Sequence, residues 1–113
     1  MEPQFKEGDK LYILTRRDMS PGQQLAQAIH AKDAFSFEHP ETNRAWYEQS
    51  NFICCLSVEN EEELAAFVET VGICRIECSS FWEPDRNGEL TAIALAPGET
   101  TREICKPFPL ALR

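Results

Sequence analysis

Apolar and polar positions along this chain follow two periods, and each apolar run predicts an element. LYILT (11–15) is a continuous apolar stretch rich in strand formers, which predicts a strand buried on both faces. It runs into the polar turn Arg16-Arg17-Asp18, after which SPGQQLAQAIHA (20–31) carries the signals of a helix start. Ser20 can cap the free N–H groups, Pro21 fits the first helical position, and an alanine-rich run follows, so a helix is expected from Pro21 to about Phe37. HPETNRAWYEQS (39–50) reads as a turn and a short second helical piece carrying Trp46 and Tyr47, and NFICCLSV (51–58) as another fully apolar strand. Asn60 is placed to cap a third helix. Its Glu61, Glu62 and Glu63 suit the positive end of the helix dipole, Leu64, Phe67, Val68 and Val71 form its apolar stripe, and Gly72 is expected to stop it.

In ICRIECSSF (73–81) the pattern changes to alternation, with Cys74, Ile76 and Cys78 on one face and Arg75, Glu77 and Ser79 on the other, as in an edge strand. WEPDRNGE is a loop, LTAIALAP (90–97) a central apolar strand, and Thr101 to Cys105 a last helical turn before the PFPLALR tail. The order β-α-(α)-β-α-β-β predicts an α/β fold, a four-stranded mixed sheet sandwiched by helices. At 113 residues a single domain spanning 1–113 is expected, with its core from about residue 10 onward.

Composition narrows the picture. With 42% hydrophobic and 27% charged residues the chain falls in the globular range. No apolar run approaches the roughly 20 residues of a membrane span. The start MEPQFKEGDK lacks the basic and apolar regions of a signal peptide, so a cytoplasmic protein without membrane contact is expected. The five cysteines, an odd number in a chain with enough apolar residues to fold unstapled, are expected to be free thiols. Cys74 and Cys78 do not have the surroundings of a zinc site, because neither histidine lies near them in sequence, and no cofactor is expected. A formal net charge of −8 disfavours general binding to phosphate backbones. A local basic site is still compatible with it, if Arg75, Arg86, Arg102, Lys106 and Arg113 gather with Arg16 and Arg17 at one end of the fold.

The first helix carries the candidate chemistry. At about 100° per residue Gln23, Gln27 and His30 share one polar stripe, while Leu25, Ala28, Ile29 and Phe35 occupy the opposite side and should pack on the sheet. Because the helix follows a buried strand directly, its start faces the crevice beyond the strand's carboxyl end, where open α/β sheets bind ligands. The Glu83-Pro84-Asp85-Arg86-Asn87-Gly88 loop brings two carboxylates and a guanidinium between two strands. If it lies beside the helix, Asp85 could orient His30 or a water as a general base requires. The alternative stays open in which His30 is a hydrogen-bonded structural residue and the loop an ordinary solvated turn.

These residues resemble the type II peptidyl-tRNA hydrolase family, whose first helix carries G-K-x-x-A-Q-x-x-H-A after a strand ending in R-x-D. The matching positions are Arg16, Asp18, Gly22, Ala26, Gln27, His30 and Ala31. The similarity continues through Trp46, the strand at 52–58, the E-E-E-L helix and TAIALAPGE (91–99), and so covers most of the chain from Leu11 onward. The resemblance implies a four-stranded mixed sheet between helices, a homodimer, and cleavage of the ester joining a peptide to tRNA. Gln23 stands at the family's helix-start lysine and Pro21 at its neighbouring lysine, and E-P-D-R-N-G replaces the family's D-A-G-x-T-Q loop, leaving Glu83 or Asp85 as stand-in for the aspartate. The expectation is therefore a divergent member, with His30 and Asp85 as the acid–base pair and Arg16, Arg17, Gln23 and Gln27 as substrate contacts. Its partners would be tRNA or peptidyl-tRNA and a second copy of the chain, and a non-catalytic dimeric binding module is the alternative. The small residues Ala26, Ala28, Ala31 and Ala34, together with Phe35, Phe37, Trp46 and Tyr47, point to the dimer as well.

Overall fold

Strand β1 (Lys10–Arg16) is buried from Leu11 onward because it is paired along both edges. The computed structural model describes residues 2–113. After β1 come helices α1 (Pro21–Glu38) and α2 (Pro40–Gln49), strand β2 (Phe52–Val58), helix α3 (Glu61–Ile73), strands β3 (Cys78–Glu83) and β4 (Glu89–Leu95), and helix α4 (Glu99–Cys105). They form an α/β fold around a mixed sheet of order β2-β1-β4-β3, in which β1 runs parallel to β2 and antiparallel to β4, and β4 antiparallel to β3. Helices cover both faces. Tyr12, Leu14, Ile93 and Leu95 meet α3 and α4 through Leu64, Phe67, Val71 and Cys105, while Leu11, Ile13, Ala92 and Ala94 meet Ala28, Ala31 and Phe35 of α1 and Trp46 of α2.

Several local expectations are corrected. β2 is an edge strand, so only Leu56, Ser57 and Val58 are buried, whereas Phe52 and Ile53 are exposed. The C-terminal tail covers part of that edge, through bonds from Ser57 N to Pro109 O at 2.8 Å and from Ala111 N to Cys55 O at 3.0 Å. β3 begins at Cys78 rather than Ile73, because α3 runs through Gly72 to Ile73 and the chain turns at Arg75, which adopts a left-handed φ of 56°. Gly72 therefore lies inside the helix and does not terminate it.

Helix α1 starts as its sequence dictates. Ser20 Oγ accepts from Gln23 N while Gln23 Oε1 accepts from Ser20 N, a reciprocal capping box. Its buried stripe is Gln24, Gln27, Ala28, Ala31 and Phe35. Leu25 and Ile29, expected on the sheet, are instead half exposed: they fall on one flank of that stripe and His30 falls on the other. Ala28 and Ala31 are spent on close approach to the sheet, so they are not free for a helix-to-helix contact, and Phe35 and Trp46 are buried within the chain. Phe37 and Tyr47 stay exposed. No helix among the described residues is long and apolar enough to cross a membrane.

Candidate functional site

The period-two alternation of β3 places Ser79, Phe81 and Glu83 against α1. Each meets a residue of the helix. Ser79 Oγ donates to Glu38 Oε1 at 2.5 Å, the Phe81 ring stacks on the His30 imidazole with centroids 4.5 Å apart and planes 13° apart, and Glu83 Oε1 accepts from Gln27 Nε2 at 2.9 Å. His30 is exposed, and neither ring nitrogen hydrogen-bonds to the described residues, which leaves both open to solvent.

A bulge in β4 completes the network. The pairing passes from Phe81–Ala92 to Trp82–Leu90 and skips Thr91, so Leu90 turns toward the α3 face while Thr91 turns toward α1. The Thr91 hydroxyl donates to Gln27 Oε1 at 2.6 Å, and Gln27 passes the polarity on to Glu83. Glu83 also accepts from Asp85 N at 3.2 Å. The Gln27 amide is the main influence holding the Glu83 carboxyl below its ordinary range, followed by the Asp85 amide, with smaller attractions from His30 and Arg86.

The structure thus brings Gln27, His30 and Glu83 together. The Asp85 carboxylate is exposed on the short 3₁₀ turn Pro84–Arg86, which closes through left-handed Asn87 and Gly88, and it forms no hydrogen bond with His30. Of the two carboxylates of this loop it is Glu83 that is bonded to α1, through Gln27 one turn before His30. Gln23 is exposed and turned back onto Ser20 by the capping box.

Arg16 is 4% exposed and occupied internally. Its guanidinium grips Asp18 in two bonds of 3.0 and 2.9 Å and donates to Glu89 at 2.8 Å and to Leu90 O at 3.0 Å. A substrate contact through Arg16 would have to displace these partners. The hydrogen bond from Arg16 is the main cause depressing both the Asp18 and Glu89 carboxyls. Arg17 is exposed, donates to Ser57 O at 3.1 Å and lies 3.7 Å from Glu59. Arg86 joins this end through Glu89, but Arg102 and Arg75 line clefts beside Gly98, so the expected gathering of cations does not form. Among the described residues no group of three His, Cys, Asp or Glu side chains is placed to hold a metal ion.

Fold and site together define an α/β protein with an open mixed sheet and an exposed histidine stacked at the crossing of α1 and β3. Compared with known proteins, the chain matches no family model and no curated sequence.

Proposed function

We propose that this chain is a hydrolase of the type II peptidyl-tRNA hydrolase kind, cleaving the ester between a peptide and tRNA or a related small ester or amide. The supporting observation is the exposed His30 imidazole, stacked on Phe81, one helical turn after the Gln27 that anchors the Glu83 carboxylate. In this reading His30 takes a proton from the water that attacks the acyl carbonyl, and returns it to the leaving ribose oxygen as the tetrahedral intermediate collapses. Glu83, kept ionised by Gln27, stabilises the imidazolium between the two transfers. Arg17, exposed near the carboxyl end of β1, is the cation left for one phosphate, in keeping with a net charge of −8 that leaves no broad nucleic-acid surface. The test is release of an N-blocked amino acid from its tRNA. His30→Asn should keep the fold and lose about 10²-fold or more in rate, and Glu83→Gln less in the same direction. Equal turnover by wild type and His30→Asn at matched folded fraction sinks the proposal.

A second reading is favoured by a different feature, an apolar groove of about 320 Å³ on the other flank of α1, walled by Leu25, Ile29, Ile53 and Leu112. Here the chain is a non-catalytic homodimeric binding module whose copies meet across that groove. Sedimentation should then give a dimer that Ile29→Glu converts to monomer. A wild-type monomer at micromolar concentration excludes it.

A further inference from the structure

At the opposite end of the sheet from His30, a cleft of about 610 Å³ opens between the start of β1 and the start of α4. Its lining includes Lys6, Lys10 and Arg102, with Tyr12 at its base. Of the other cations, Arg16, Arg17, Arg44, Arg86 and Lys106 each stand within 4 Å of a carboxylate, while Lys32 is bonded to the neutral Ser36 and Asn43. Among the described residues Lys6, Lys10 and Arg102 form no ion pair, although Asp9 and Glu99 line the same cleft.

The local backbone accounts for the engagement of Asp9. Lys6 to Asp9 is a tight turn closed by Asp9 N to Lys6 O at 3.0 Å, and its third position requires the φ of 92° that Gly8 supplies. The Asp9 carboxylate is turned inward to accept from Lys6 N at 2.8 Å, and Ser50 Oγ donates to Asp9 O, tying the turn to the end of α2. Three exposed cations against the two carboxylates of Asp9 and Glu99 leave the lining of the concavity with a net positive charge. Tyr12 adds a second, independent sign. It is only 8% exposed and lines the cleft, yet its hydroxyl takes part in no hydrogen bond among the described residues. Burial is the main cause raising its pKa, so it offers a neutral O–H donor at physiological pH.

We infer that this cleft binds a small phosphate-bearing molecule, a diphosphate or phosphoester, gripped by Lys6, Lys10 and Arg102 with the Tyr12 hydroxyl donating from below. A cleft of this size matches small-molecule sites. Cations on several sides suit the many oxygens of a phosphate better than the two of one carboxylate. Glu99 at the rim disfavours a long polyanion such as nucleic acid.

Inorganic pyrophosphate titrated into ¹⁵N-labelled protein tests this. The amides of residues 6–12 and 98–102 should shift saturably, with affinity at least tenfold weaker in Lys10→Gln and in Arg102→Gln and several-fold weaker in Tyr12→Phe. The amide spectra themselves report whether each variant is folded. Lys106→Gln and His30→Asn should bind as wild type does. No saturable shift at millimolar pyrophosphate, equal affinity in the three cleft variants, or shifts centred on Arg17 and Arg86 would each overturn the inference.

Discussion

Arg16 is a residue whose sequence context suggests function and whose hydrogen bonds are all internal. It sits where the R-x-D pattern suggests a substrate contact, but four of its five N–H groups are engaged by Asp18, Glu89 and the Leu90 carbonyl. The pH dependence follows from its partners. The Asp18 and Glu89 carboxyls lie below their ordinary values of 3.8 and 4.5 in the folded protein, so their ionised forms favour the fold, fully so above the unfolded values. That contribution is lost as pH falls through the depressed values. Thermal scans should show Tm steady from neutrality to about pH 5 and then falling, with a shallower fall in Asp18→Asn. A fall of the same slope in that variant would remove Asp18 from the account. His30 and Gln27 were legible as one polar stripe because helical spacing alone fixes them. The pairing with Glu83 rather than Asp85 was not, because it depends on which of two neighbouring carboxylates the 3₁₀ turn directs toward α1.

Elements were easier to read than their ends. The capping box of α1 and the Asn60 cap of α3, with Asn60 Oδ1 accepting from Glu63 N at 3.0 Å, are written in side chains that satisfy their own neighbours. The C-terminus of α3 is not, since Gly72 invites a stop that the chain makes three residues later at Arg75. Gly72 has helical backbone and open space where a Cβ would stand. Gly72→Ala should therefore stabilise the protein by about 0.5–1 kcal/mol, measured by urea unfolding. A loss of stability would show that the glycine is needed there. β2 is less buried than its apolar run suggests for a related reason: such a run identifies a strand but not its place in the sheet, and the edge position leaves Ile53 beside Leu25 and Ile29 at the groove. The bulge at Thr91 had no sequence signal, because TAIAL reads as regular strand until its pairing with β3 is known.

At the scale of the whole molecule, the five cysteines are free and distributed over β2, β3, α4 and the turn between α3 and β3. Burial pushes the Cys55 thiol up to about 11 and the Cys105 thiol up to about 12, with Cys54 adding a smaller push to each. Thiolates are the reactive form, so these two should be the slowest to alkylate in the native protein near pH 8. In denaturant without reductant all five should be modified, and a mass showing any bridged pair would contradict the free-thiol state. The centre of the sheet has a different consequence, for biosynthesis. Its β1–β4 pair joins residues far apart in sequence, with Thr15 opposite Ala92 and Tyr12 opposite Leu95. While the ribosome is still adding the intervening residues, β1 can pair with β2 but its other edge stays bare. Closure of the core waits until residue 95 has cleared the exit tunnel, so until then the nascent chain carries an unsatisfied strand edge at β1.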